Sequence, residues 1–185
     1  MKKIAIFLTS LALLSACGGN ENTSQTNTQT EQNDSSQATG QSGVKDDTSS
    51  PNIVQVAISS KDHTTLVTAV KTAELVDVLS NAGPFTVFAP TNAAFDKLPK
   101  GTVEGLLKPE KKNDLKNILE YHTYVGVLSP TLLQDGATFE QVNGGKIKIT
   151  NKDGKIFIND KAEITATINT SNGVIHVINE VLLPQ

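Results

Sequence analysis

The sequence predicts an α+β domain in which helices come first along the chain and antiparallel strands follow. From residue 51 onward, apolar residues first recur at the three- and four-residue spacing of helices that bury one face. Further along they alternate with polar residues, as in half-buried strands, and Asn-Gly and Asp-Gly pairs separate the runs. Helical and strand patterns that are segregated along the chain favour α+β over alternating α/β architecture.

The composition limits the classes of function that the chain supports. Its 185 residues suit one ordinary domain with a tail, and the formal net charge is only -3. All 16 basic residues are Lys, so the bidentate Arg contacts typical of nucleic-acid readers are absent. Cys17 is the single cysteine, which excludes an intrachain disulfide and a multi-cysteine metal site. We therefore expect no nucleic-acid partner, no metal and no cofactor.

The first 16 residues have the pattern of a signal peptide. Two lysines precede an apolar run at residues 4–14, which is shorter than the roughly 20 residues needed to span a bilayer. The run ends in LSAC at residues 14–17, which resembles a bacterial lipobox. The resemblance implies cleavage after residue 16 and a diacylglyceryl group on the thiol of Cys17. We therefore expect an extracytoplasmic lipoprotein, held at the outer membrane or cell surface; an ordinary secretory signal with an incidental cysteine is the alternative.

Residues 17–50 are predicted to be a polar tether. The segment consists mainly of Asn, Gln, Ser, Thr and Gly, and it has almost no apolar side chains. Such a segment cannot bury enough surface to offset its conformational entropy, so we expect it to stay disordered. As a flexible coil of about 33 residues it would have an r.m.s. span of roughly 30 Å. A folded domain is expected over residues 51–185.

Three helical segments and a strand are predicted in the first part of this domain. Asp62 or Thr64 is placed to cap the second helix. Gly83-Pro84 stops the helical pattern, and the apolar run from Phe85 to Ala89 predicts a short strand. The apolar positions that define the three helices are Val54, Ile58, Leu66, Val67, Val70, Val76 and Leu79.

The next segment predicts a tight junction between a strand and a helix. Pro90 ends the strand, and the hydroxyl of Thr91 is placed to cap a short helix. We expect Phe88 and Phe95 to seat this helix on the core. A further helix is predicted over residues 113–122, and its apolar stripe consists of Leu115, Ile118, Leu119 and His122.

The C-terminal half predicts antiparallel strands. Alternating runs lie at residues 147–149, 156–158 and 164–168. The last run, residues 174–178, is apolar on both faces, which indicates an interior strand. The hairpin signals between the runs are Asn143-Gly144, Asp153-Gly154 and Asn172-Gly173.

Two longer segments go beyond generic patterns. FTVFAPTNAAF at residues 85–95 closely resembles the first signature box of fasciclin domains, and NGVIHVINEVLLP at residues 172–184 resembles the second. Between them, Tyr121-His122 falls where that family carries a Tyr-His pair. Asn92 is a departure, since many members have Asp there, and it removes a charge.

The resemblance implies a wedge-shaped β-sandwich with helices packed on one side. It also implies a secreted or surface-bound protein, because members are associated with adhesion and matrix contacts. The expected function is therefore adhesion or interaction with a protein, matrix or polysaccharide partner by a membrane-anchored lipoprotein. Some members bind small apolar ligands, including carotenoids, so a lipid-anchored carrier of such a ligand is the alternative.

Several residues are candidates for a site or for the scaffold around it. The resemblance makes Tyr121 and His122 possible partner-binding residues. The helical stripe turns His122 inward, and Tyr121, about 100° around the helix, is expected to be the more exposed. His176 is expected in the core and His63 in solvent. The remaining signature-box residues expected to act structurally are Phe88, Pro90, Thr91, Asn92 and Phe95.

Catalysis is not expected. Neither HExxH nor GxSxG occurs, and no two histidines have the close spacing of metal ligands.

Overall fold

The computed structural model describes residues 50–184. The predicted signal peptide at residues 1–16, Cys17 and, except for its last residue, the predicted tether lie outside the described residues. Within the described part, no helix is long and apolar enough to cross a membrane.

The described chain contains six α-helices and seven strands; the predicted elements occur in the predicted order, whereas one helix (Thr102–Leu106) and two strands (Thr123–Val125 and Thr138–Glu140) were not predicted. The helices are α1 (Ile53–Ser59), α2 (Thr64–Thr72), α3 (Val76–Ser80), α4 (Asn92–Asp96), α5 (Thr102–Leu106) and α6 (Lys112–Tyr121). Short 3₁₀ turns lie at Lys61–His63 and Pro109–Lys111. The strands are β1 (Phe85–Pro90), β2 (Thr123–Val125), β3 (Thr138–Glu140), β4 (Lys146–Lys152), β5 (Lys155–Ile158), β6 (Ala162–Thr170) and β7 (Gly173–Ile178). The α+β prediction is confirmed.

The strands form one mixed sheet in the order β2-β1-β7-β6-β5-β4-β3. Neighbours from β3 to β7 pair antiparallel, as the hairpin signals predicted. The sheet curls into a nearly closed barrel, and the N–H of Val142, just after β3, donates to the carbonyl of Thr123 on β2 at 2.9 Å. β1 and β7 pair parallel, which the sequence patterns did not predict.

Two apolar cores lie on opposite faces of β1 and β7. Val87 and Ile175 point toward the helices, whereas Phe88 and Ile178 point into the barrel. Because both strands are buried on both faces, they carry apolar residues at consecutive positions. This explains why the last run reads as an interior strand and confirms that prediction. The helical core also contains Ile53, Leu66, Ala69, Leu75, Leu79, Leu115 and Leu119.

The predicted capping of the second helix was wrong. Neither Asp62 nor Thr64 caps α2; its N-cap position is His63, which makes no side-chain capping bond. Instead, the backbone N–H of Thr65 donates to Oδ1 of Asn92 at 3.0 Å, across 27 residues of sequence. The preceding residues form a 3₁₀ turn, which Ser60 caps. A side chain that is distant in sequence therefore accepts the hydrogen bond at the start of α2. Local sequence patterns could not reveal this partner.

Candidate functional site

Tyr121 and His122 lie where α6 ends and β2 begins, and both side chains are only 2% exposed. The expectation that Tyr121 reaches the surface was wrong. Its ring packs in the barrel core against Gly145, where an added Cβ would stand 2.8 Å from the ring. Its hydroxyl donates to the carbonyl of Lys146 at 2.9 Å and lies 3.1 Å from Nδ2 of Asn159, which donates to it. The end of α6 therefore lies between the two cores, with Leu119 in the helical core and Tyr121 in the barrel core.

His122 ties the end of α6 to the C-terminal segment. The backbone N–H of Leu182 donates to Nε2 at 3.0 Å, so this nitrogen carries no hydrogen. Nδ1 is therefore the protonated nitrogen, and it donates to the carbonyl of Ile118 at 2.8 Å. Complete burial lowers the pKa of His122 to about 4, although the Ile118 carbonyl opposes the shift. The ring is thus neutral at pH 7 and has both nitrogens satisfied. This is the inward packing that the helical stripe predicted.

His176 occupies the barrel core at the centre of β7, as expected. Its ring stacks on Phe88 with a centroid separation of 5.6 Å. Nε2 donates to the carbonyl of Leu128 at 2.7 Å, and Nδ1 accepts from the hydroxyl of Thr167 at 2.9 Å. Burial lowers the pKa of His176, so this ring is also held neutral.

The first signature box connects β1 to two helices. Oγ1 of Thr91 accepts from the N–H of Ala94 at 3.3 Å, which is the predicted cap of α4. Asn92 reaches the start of α2: its Oδ1 accepts from Thr65, and its Nδ2 donates to the carbonyl of Lys61 at 3.0 Å. A carboxylate could not make the second bond. The amide at position 92 therefore has a specific structural use in this chain.

Asn172 is a buried structural residue, although the Asn-Gly pattern predicted only a turn at this position. Its Oδ1 accepts from the N–H of Ile53 at 3.0 Å. Its Nδ2 donates to the carbonyls of Leu79 and Asn81 at 2.8 and 2.9 Å. One side chain thus joins the start of α1, the end of α3 and the β6–β7 turn. An Asn-Gly pair signals a turn, but no local pattern reveals partners this far away.

A narrow cavity lies between helices α1–α3 and the sheet. It encloses about 50 Å³, and 15 of its 20 lining residues are apolar. Ile58 and Ile168 are lining residues that remain partly exposed to solvent. The expectation that His63 is solvated was wrong, since it lines this cavity and is only 6% exposed. The 3₁₀ turn at Lys61–His63 directs its ring inward.

The titratable side chains of the described region do not form a metal centre. Among residues 50–184, no group of three or more His, Cys, Asp or Glu side chains is placed to hold a metal ion. Most of the described ion pairs are exposed, as in Lys111–Asp114 and Lys152–Asp160. Two features of the described region with site-like geometry are the buried Tyr121–His122 junction and the cavity that His63 lines.

Comparisons with known proteins place the chain in a family. The protein sll1483 of Synechocystis sp. is 49% identical over 132 residues, which are 71% of this chain and 73% of that protein. The cell surface glycolipoprotein MPB83 of Mycobacterium bovis is 38% identical over 110 residues, or 60% of this chain and 48% of that protein.

The solved structures agree on the fold. A FAS1 domain pair from the insect cell adhesion molecule fasciclin I matches with a TM-score of 0.65 and 19% identity, covering 72% of this chain and 51% of that one. The family model of the fasciclin domain matches residues 61–184, which include both signature boxes. The chain belongs to the fasciclin domain family.

Proposed function

We propose that this protein is a surface lipoprotein whose fasciclin domain mediates adhesion to a protein, matrix or polysaccharide partner. The observation that carries the proposal is the fasciclin domain itself, which spans nearly all of the described residues. It is supported by a relative named as a cell surface glycolipoprotein and by a structural neighbour from a cell adhesion molecule. The family is one of adhesion domains and not of enzymes.

The anchor in this proposal is a lipid on Cys17, followed by the polar tether. Single-site attachment by acyl chains holds a protein at a membrane without a spanning helix. The carbonyl of Pro51 accepts from the N–H of Ser171 at 3.1 Å, so the tether joins the domain beside the β6–β7 turn. Replacing Cys17 with Ser should release the protein from sedimented membranes; continued sedimentation of Cys17→Ser would contradict lipid anchoring.

We propose the exposed edge at β2 as the contact surface. Val125 is 64% exposed, and Val127 and Val142 are also exposed close to this strand. Val142 adjoins it through the hydrogen bond to Thr123. Tyr121 and His122 would not contact the partner themselves. They would position this surface, because the buried pair fixes the point where β2 begins.

An attachment assay tests this function and its surface. Cells that lack the gene should attach less to the native surface, and the wild-type gene should restore attachment. A Val125→Asp variant should fail to restore it, whereas Val78→Asp should succeed. Val78 is the matched control because it is a half-exposed valine that belongs to α3 and not to β2. Normal attachment without the gene would contradict the adhesion proposal, and full rescue by Val125→Asp would contradict the surface.

A second candidate function, carriage of a small apolar ligand, is favoured by the cavity that His63 lines. Binding sites for small molecules are concave and mostly apolar, with few polar groups. If the protein is a carrier, its organic extract after purification from native membranes should contain a compound that mass spectrometry detects. An extract without such a compound would contradict carriage.

A further inference from the structure

The second half of β6 has a free backbone edge. β5 pairs with β6 only at Ala162 and Glu163, and residues 166–170 pair with β7 on one side. In the part of the chain that the structure describes, no backbone group pairs with their other side. Residues of an antiparallel pair direct their N–H and C=O groups alternately toward and away from the partner strand. Alternate residues of this segment, which we call the β6 edge, therefore direct both groups into solvent.

The β6 edge lacks the charges that protect such edges in most sheets. Natural edge strands carry Lys or Pro or are covered, because unpaired N–H and C=O groups otherwise recruit another strand. The exposed side chains of β4 include Lys146, Lys148 and Lys152, whereas residues 164–172 contain no charged side chain. Residues 166–169 are all exposed, so nothing in the described chain covers them. The edge is thus open to a further strand.

An apolar side chain also lies on this edge. Ile168 faces the helices, as its cross-strand partner Ile175 does, but it remains 37% exposed. Ile58 of α1 lines the same cavity as Ile168 and is 53% exposed. A strand that pairs with the β6 edge would satisfy its backbone groups and place a side chain beside Ile168 on the same face.

We propose that the β6 edge pairs antiparallel with the β6 edge of a second copy of this chain, about a twofold axis at Ile168. The two Ile168 side chains then face each other on the helical side of the sheet, and Thr167 of each copy faces Asn169 of the other. An uncharged strand is a suitable partner for itself, because a twofold pair brings identical residues together and no like charges meet. This inference goes beyond the proposed function and depends neither on the lipid anchor nor on the β2 surface.

The contact should be reversible because it is small. A segment of the length of the β6 edge spans roughly 17 Å. Stable interfaces bury about 1,200–2,000 Å² in total, which one short strand pair does not reach. A covalent trap in the native envelope is therefore a more suitable test than the mass of the purified protein.

Disulfide trapping in cells that make the full-length protein tests both the contact and its register. Directly opposed residues of an antiparallel pair have Cα atoms about 4.5–5.5 Å apart, which a disulfide can span. Ile168→Cys should therefore form a covalent dimer on mild oxidation, detected on a non-reducing gel. Asn169→Cys is the matched control, because two copies of this exposed residue would lie diagonally at roughly 7–8 Å and should not cross-link. Wild type controls for Cys17, the only native thiol.

A second measurement needs no thiol and uses the same self-facing position. Ile168→Lys should abolish energy transfer between differently labelled copies on one cell, since like charges would meet. Mixing Ile168→Lys with Ile168→Glu should restore the transfer, since opposite charges would then meet. Val78→Lys, at a half-exposed valine of α3, should leave the wild-type signal unchanged.

Three outcomes would overturn the inference: no dimer of Ile168→Cys, equal trapping at position 169, or energy transfer that survives Ile168→Lys. A strand from another protein would then be the remaining occupant of the β6 edge. The Tm of each variant, compared with that of wild type, shows whether a lost signal reflects a lost contact or a lost fold.

Discussion

Acid should destabilise this domain through His122 at a pH where most carboxylates are still ionised. The ring is neutral in the fold, with a pKa of about 4, against the ordinary value of 6.5. The pKa of His122 is lower in the folded chain than in the unfolded chain. The stability that the neutral ring confers is therefore complete above pH 6.5. It is lost as the pH falls toward 4, since protons bind preferentially to the unfolded chain.

The magnitude follows from the size of this pKa shift. A difference of about 2.5 pKa units at 1.36 kcal/mol each corresponds to roughly 3 kcal/mol in the free energy of unfolding. Most of this loss should have occurred by pH 4.5. It is a large share of a typical stability of about 5–15 kcal/mol. Burial lowers the pKa values of His63 and His176 as well, so they add to the effect in the same direction.

Urea unfolding followed by circular dichroism at pH 7, 6, 5 and 4.5 measures this dependence. The matched variant is His122→Gln, whose side chain has an amide donor and acceptor but does not titrate. It should be less stable than wild type at pH 7, and its unfolding free energy should fall less steeply with acid. The difference in slope between wild type and His122→Gln should approach one proton, or about 1.4 kcal/mol per pH unit. A wild-type stability that is flat between pH 7 and 4.5, or a variant with the full wild-type slope, would refute the reasoning.

Three substitutions test the structural residues. Thr91→Ala removes the cap of α4 and should lower stability by about 1 kcal/mol, measured as a lower Tm; an unchanged Tm would contradict the cap. Asn172→Asp replaces two buried N–H donors by a carboxylate oxygen and should cost roughly 2–4 kcal/mol in urea unfolding. The exposed Asn169→Asp is its control, and equal effects of the two would count against the network. Gly173→Ala puts a Cβ against the backbone oxygen of Phe85 and should prevent soluble expression; a native Tm would exclude the contact.

The sequence predicts those features of the fold that depend on neighbours along the chain. The Thr91 cap, the hairpin turns and the stripe of α6 all involve residues within a few positions of each other. The capping bond of Thr91, for example, spans three residues. Local backbone geometry determines such contacts, so residue type and spacing suffice to predict them.

The features that the sequence did not predict depend on distant partners or on a local turn. Asn172 bonds to groups 91 to 119 residues away, and Asn92 bonds across 27. His63 follows two charged residues, a context typical of solvent, but the 3₁₀ turn rotates its ring into the cavity. Tyr121 was expected on the exposed side of α6, but this end of the helix is buried on two sides, with Leu119 in the helical core and Tyr121 in the barrel core.

The parallel pairing of β1 with β7 has a consequence for how the protein is made. β1 obtains β7 as its neighbour only after the chain has been synthesised through Ile178, since Phe85 pairs with Gly173 and Pro90 with Ile178. Contacts between such distant segments slow folding, because a long loop must close before they form. A nascent chain therefore stays incomplete as a folding unit until β7 has emerged. A nascent chain in this state is suited to an export route that accepts only unfolded polypeptides.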